Sequence, residues 1–274
     1  MNDLIFSIYT KITDTTEKRS YNSIQFEKHF HRLRDGLKNY AEKICNADFK
    51  LLTPDSVKYD DLNIYKIQQW EKFCDEYDRV LYLDLDVIPN TKTNIFTKFD
   101  FNKFVTHFIP IDAVNERVGL RTKKETKEEF LIRAATEEYK EELEKLDEYH
   151  WLIKGLMKKD MMKADGVPLT QNVIINTGIF GGNHIARDQL KFSERMDECK
   201  KLIDSIKHID KRYFYNNEVF ASYIIDKYKV PVVDVPPHWH ELVLTDTVDT
   251  RVKYSCLVHV ITKDFDKVFN ILDS

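Results

Sequence analysis

The chain has 274 residues, 42% of them hydrophobic, and a net charge of −4 from 42 basic and 46 acidic side chains. That balance offers no basic field for nucleic acid, and no apolar run approaches the ~18 residues needed to cross a membrane. Seven glycines, with no GxGxxG or Walker pattern, argue against a glycine-rich phosphate loop.

The N-terminal stretch MNDLIFSIYTK has no basic n-region and no small-residue cleavage site, so it reads as a first strand over 4–9 and not as a secretory leader. Phe26, Phe30, Leu33, Leu37, Tyr40 and Ile44 then recur at spacings of three and four, which predicts an amphipathic helix. FKLLT (49–53) predicts a second strand, and 62–76, carrying Ile64, Ile67 and Trp70, a second helix. The strand VLYLDLD (80–86) follows, and KFVTHFIP (103–110) predicts another. From about 122 to 163 the chain is dense in Glu and Lys, yet Leu131, Ala135, Tyr139, Leu143, Leu146 and Ile153 keep a stripe near helical spacing. Solvated helices packed along that stripe are expected. A coiled-coil dimer arm and an acceptor-recognition insert are the alternatives.

The core pattern resumes at NVIINTGIFGGN (172–183), with helices over about 186–206 and 216–228 and last strands at VPVVDV (230–235) and SCLVHVI (255–261). Alternating strands and helices imply an α/β fold around a mainly parallel sheet. With no repeat or Ser/Gly linker, a single domain over 1–274 with a charged helical insertion at about 122–163 is the simplest organisation. Cys45, Cys74, Cys199 and Cys256 are widely separated, which fits reduced thiols in a cytoplasm-like compartment.

In a parallel sheet, ligands gather at the carboxyl ends of the strands, and there Asp84 and Asp86 close the third strand. Two carboxylates at i and i+2 repel each other, and a buried one is costly unless compensated. A divalent cation resolves both problems, because hard oxygen ligands suit Mn²⁺ or Mg²⁺ and the metal can also hold phosphate oxygens. Two chemistries use such a strand end. One is a phosphatase of the haloacid-dehalogenase type, with the first Asp as nucleophile. The other is a nucleotide-sugar transferase that grips metal and diphosphate. The motif lies after two earlier strands, with no later Asp-Asp element, which disfavours the phosphatase. The histidines of PPHWHE, His238 and His240, suggest acceptor-side contacts or a structural loop before a separate metal site.

The segment YKIQQWEKFCDEYDRVLYLDLDVIPN (65–90) resembles the donor site of the GT-A-fold, metal-dependent nucleotide-sugar glycosyltransferases, above all the glycogenin-like retaining enzymes of family 8. Lys66, Trp70 and Tyr77 precede the Asp pair as they do there. INTGIFGGN, NNEVFASYII and LVHVITK follow in the family's order. The resemblance implies a GT-A fold, a central mixed, mainly parallel sheet flanked by helices. It implies a metal site of Asp84, Asp86 and His259 for Mn²⁺ (or Mg²⁺), with Lys66 placing positive charge near the donor. Asn176 and Thr177 would line the donor sugar, Gly178 would let the backbone approach, and Leu85 would sit at the donor between the two aspartates. Ser7, Tyr9 and Thr10 would meet the nucleotide base. Lys263 would reach the diphosphate, although the family's Gly and Lys-Pro-Trp are missing after His259. Glu218 stands where many retaining members have Gln, and it would act as nucleophile, as base, or in orienting the acceptor. Retention is favoured, and inversion stays open.

The implied partners are a nucleoside-diphosphate sugar, UDP-sugar favoured over GDP, and a glycan, protein, lipid or small-molecule acceptor. A homodimer is a further expectation, and the expected location is cytoplasmic. A catalytically inactive GT-A-like binding module and a structural role for the charged arm are the rival readings.

Overall fold

A computed structural model describes residues 1–11, 17–54, 57, 61–111, 147–206, 216–243 and 250–274. The expected stripe from Leu131 to Leu146 lies outside the described residues. The chain clusters into two compact units. The first comprises Met1–His107, Asn176–Ser193 and Val230–Ser274, and the second Phe108–Ile175 and Glu194–Lys229.

Strand β1 (Asp3–Ile8) is buried along its whole length, as its near-continuous apolar run requires for a strand covered on both faces. It pairs in parallel with β2 (Asp48–Leu52) on one side and β3 (Arg79–Leu83) on the other. The six-stranded sheet continues through β6 (Val173–Gly182), β5 (Phe104–Pro110) and β7 (Val232–Asp234), in the order β2-β1-β3-β6-β5-β7. β3 and β6 run antiparallel, so the sheet is mixed and mainly parallel. A second sheet has the order β4-β9-β8, from Val87–Pro89, Leu257–Val260 and Glu241–Val243.

Period-two alternation sorts the first unit's core into two layers. Ile5, Leu81, Leu83, Val105 and Ile179 join the cluster that holds Leu33 and Leu37 of α1 (Glu17–Asn39). Their neighbours Phe6, Tyr82, Phe104 and Phe180 face the other way and build an aromatic layer with Trp70 and Phe73 of α2 (Leu62–Phe73). Lys66, Ile67, Trp70 and Phe73 are the buried stripe of α2. That helix ends three residues before the expected Glu76, where Cys74–Tyr77 turn back through bonds to the carbonyls of Trp70, Lys72 and Phe73.

Helix α3 (Asp147–Ala164) and helix α6 (Asn217–Tyr228) pair within the second unit. A buried Lys158–Asp226 ion pair at 3.2 Å ties them together. Asp226 also accepts from the backbone N–H of Thr170 and Gln171, and Lys158 donates to the carbonyls of Gln171 and Val173.

The single helix expected over 186–206 is two: α4 (His184–Leu190) and α5 (Phe192–Ser205), broken at left-handed Lys191 (φ 45°). Strands β4 and β8 and the terminal helix α7 (Phe265–Leu272) were not expected from the sequence. Among the described residues no helix is long and apolar enough to cross a membrane.

Candidate metal and nucleotide site

The site begins with a tight turn at the end of β3. Asp84 donates its backbone N–H to the Gly178 carbonyl (2.9 Å), and its own carbonyl accepts from Val87 N–H (3.0 Å). The two carboxylates therefore converge through the turn and not through the pleat of one strand. The chain then enters β4, which pairs antiparallel with β9 so that Val87 faces His259. Val260 N–H donates to the Asp86 carbonyl (3.0 Å), fixing that register beside the motif. Residues far apart in sequence thus meet because a three-residue strand links them.

Asp84, Asp86 and His259 offer ligand atoms that all lie within 4.8 Å of one another. His259 Nε2 stands 3.4 Å from Asp86 Oδ2 and 3.8 Å from Asp84 Oδ2. Asp86 and His259 are buried, at 4% and 3% exposure, while Asp84 is half-buried. The donor set of two carboxylates and an imidazole, whose Nε2 faces both carboxylates, suits Mn²⁺ or Mg²⁺. The residues present fit a divalent cation.

Two ammonium groups flank the triad. Lys66, itself 4% exposed, donates to the Thr177 carbonyl (2.8 Å), lies 3.2 Å from Asp84 Oδ1, and sits 5.0 Å from the centroid of the Tyr82 ring. Lys263 contacts Asp86 Oδ2 directly and approaches the Val260 carbonyl at 3.4 Å. Burial alone would push the Asp86 carboxyl up. The Lys263 ammonium and the His259 ring outweigh it and hold that carboxyl well below the usual range.

A cleft in the first unit adjoins these groups, lined by Tyr9 and Thr10 after β1, Phe26 of α1, Asn63 of α2, and Lys66, Asp84, Leu85, Asp86 and Lys263. Seven of the expected residues (Tyr9, Thr10, Lys66, Asp84, Leu85, Asp86 and Lys263) therefore share one opening. The Tyr9 ring packs at a tilt against Phe30, 4.9 Å between centroids and 56° between planes. Ser7 is fully buried in β1, and its hydroxyl has no partner among the described residues.

Asn176, Thr177 and Gly178 lie buried in β6, and each takes part in contacts within the fold. Asn176 Oδ1 accepts from Gly178 N–H (2.9 Å), and Thr177 gives its carbonyl to Lys66. Gly178 makes room for a side chain: a Cβ there would overlap the Cε1 and Nδ1 atoms of His259. Glu218 belongs to the second unit, where it opens α6 and pairs with Lys154 of α3.

Sequence reasoning missed Tyr82, whose hydroxyl donates to Asp84 Oδ1. It also missed a row of histidine rings. His240 stacks on His259 (5.2 Å, 29°) and meets His107 edge-on (5.3 Å, 79°). Burial, and then the His259 and His107 rings, hold His240 neutral, well below its usual range. The spacing of PPHWHE hinted at paired histidines, and nothing in it pointed to His259. His238, the other member, lends its carbonyl to Cys256 N–H.

No protein-family model and no curated protein matches the chain. Solved structures do. A glycosyltransferase involved in glycosylation of the major capsid of PBCV-1 is 12% identical, covers 100% of this chain and 99% of its own, and has a TM-score of 0.45. The galactosyltransferase LgtC, in complex with donor and acceptor sugar analogs, is 11% identical over 99% of this chain and 95% of its own, with a TM-score of 0.45. Mouse xyloside xylosyltransferase 1, in its apo form, is 11% identical over 95% and 98%, with a TM-score of 0.42. The reading of the site stands on the residues described above.

Proposed function

We propose that this chain is a metal-dependent glycosyltransferase that moves a sugar, a hexose by preference, from a nucleoside-diphosphate sugar to an acceptor hydroxyl. UDP-sugar is the favoured donor, Mn²⁺ the favoured ion with Mg²⁺ the alternative, and retention the favoured outcome. The observation that carries the reading is the buried Asp84–Asp86–His259 triad, flanked by Lys66 and Lys263 at the mouth of one cleft.

As the glycosidic C–O bond breaks, negative charge grows on the departing diphosphate. Asp84, Asp86 and His259 would hold a divalent cation, which supplies Lewis-acid stabilisation of the phosphate oxygens worth several kcal/mol. Lys66 is already fixed by the Thr177 carbonyl and Asp84, so its charge acts with little reorganisation. Tyr82 holds Asp84 in place from the aromatic layer. Tyr9 and Thr10 line the same cleft and are the residues proposed to meet the base. Glu218 is the residue proposed to act at the anomeric carbon or on the acceptor. Four cysteines without a disulfide support a cytoplasmic location.

The test is a thermal-shift panel of UDP, GDP, ADP and CMP, each with and without Mn²⁺, on wild type and Asp86→Ala. A ligand at about a hundred times its Kd stabilises the fold by ~2.7 kcal/mol, a rise of several degrees for a chain of this size. The expected result is a Mn²⁺-dependent shift with UDP that Asp86→Ala abolishes. A wild type that no nucleotide shifts would sink the proposal.

A further inference from the structure

The following rests on the proposed function and concerns how its site is kept before ligands arrive. We propose that Lys263 is the internal counter-cation of Asp86. It competes with a divalent metal for that carboxylate and transfers its ammonium to the diphosphate when metal and nucleotide enter together.

Asp86 is a nearly inaccessible anion, and a carboxylate left unpaired in that position is strongly disfavoured. Its Oδ2 atom is the one that faces His259 Nε2, and that same atom carries the Lys263 contact. The oxygen offered to a metal is therefore already taken by an ammonium. Lys263 sits in the left-handed region (φ 61°), and its ammonium lies 5.7 Å from the Phe26 ring centroid.

The two lysines differ in how closely they are held. The Lys66 side chain is 5% exposed and donates to the Thr177 carbonyl at 2.8 Å, whereas that of Lys263 is 13% exposed and lies 3.4 Å from the Val260 carbonyl. Lys263 also borders the cleft, where an entering diphosphate would meet its ammonium.

Charge counting gives the direction of the effect. The two carboxylates of Asp84 and Asp86 are matched by the two ammonium groups of Lys66 and Lys263. A divalent cation alone adds two positive charges beside two ammonium groups. A diphosphate entering with it restores the balance and gives Lys263 a new acceptor. Metal and diphosphate binding are thus coupled through one side chain, and linkage makes that coupling reciprocal.

The experiment titrates Mn²⁺ into wild type, Lys263→Met and Lys263→Arg, reading free Mn²⁺ by its paramagnetic resonance signal, first without nucleotide and then with saturating UDP. Lys263→Met is expected to bind bare Mn²⁺ at least about fivefold more tightly than wild type, within the usual 5–150-fold range of such couplings. Lys263→Arg, which keeps the charge, stays near wild type, and with UDP present the advantage of Lys263→Met disappears. Bare-Mn²⁺ affinity in Lys263→Met that is no tighter than wild type overturns the inference, and it leaves the donor-site reading intact if UDP binding still needs Mn²⁺. Tightening in Lys263→Met together with Mn²⁺-independent UDP binding overturns the donor-site reading and the coupling of metal to diphosphate, and leaves Lys263 as the counter-cation that competes with metal for Asp86.

Discussion

Gly178 shows how one absent atom shapes the site. Its position in β6 brings its carbonyl to Asp84 N–H, while the space above its α-carbon is filled by the His259 ring. Asn176 Oδ1 would stand 2.9 Å from an added Cβ, closing the other way out. In Gly178→Ala the His259 ring must therefore leave its place, because the strand backbone is pinned on both sides. The mutant is expected to lose roughly 10–100-fold in Mn²⁺-dependent UDP affinity, the usual effect of disturbing what orients a ligand. Overpacking should cost only about 1–3 kcal/mol of stability. Calorimetric titration checks the first figure and denaturant unfolding the second. Unchanged affinity would remove His259 from the metal site. The residue scale is also where sequence reading was least complete: Asn-Thr-Gly resembled a sugar-facing strand end, and nothing local to it showed that a histidine 81 positions on fills the gap.

At the scale of elements, the long ones were legible and the short ones were not. β1, α1 and β6 carry enough periodic apolar residues to declare themselves. β4 and β8 have three residues each and no room for a pattern, yet β4 is what lays His259 beside Asp86. The break at Lys191 was hidden because no glycine or proline marks it. Asp226 reads as one more charge on α6, whereas the fold buries it at 1% exposure as the clasp between α6, α3 and the Thr170–Gln171 backbone. Removing it strands Lys158, also 1% exposed, so Asp226→Ala should destabilise by about 3–5 kcal/mol. Replacing both partners with apolar residues should recover much of that loss. Burial works to raise the Asp226 carboxyl, but Thr170, Lys158 and the Gln171 amide bring it below its usual value. A depressed folded-state pKa means that its contribution is present above about pH 4 and is lost as pH falls through the folded value. The stability gap between wild type and Asp226→Asn, measured by urea unfolding, should therefore shrink below about pH 4. A gap that stays constant on acidification would show that the clasp is not electrostatic.

At the scale of the whole chain, the question is whether two compact units behave as one. The backbone passes between them after residues 107, 175, 193 and 229, and two of those passages fall inside strands β5 and β6. A strand that carries residues of both units cannot melt in one and persist in the other without breaking its own ladder. The expected behaviour is thus a single cooperative domain, as the lack of a linker in the sequence suggested. The cysteines provide the readout. Cys45 and Cys74 are buried in the first unit and Cys199 in the second. Burial raises all three thiols, Cys199 to about 12, which suppresses the thiolate that alkylating reagents attack. Pulsed iodoacetamide labelling across a urea series, read by peptide mass spectrometry, should find these three protected in the folded protein, with only the less buried Cys256 open to reaction. Their labelling should then rise at one common midpoint. Exposure of Cys199 at lower urea, with Cys45 and Cys74 still protected, would mean that the helical unit unfolds on its own and that the continuity of β5 and β6 does not couple them.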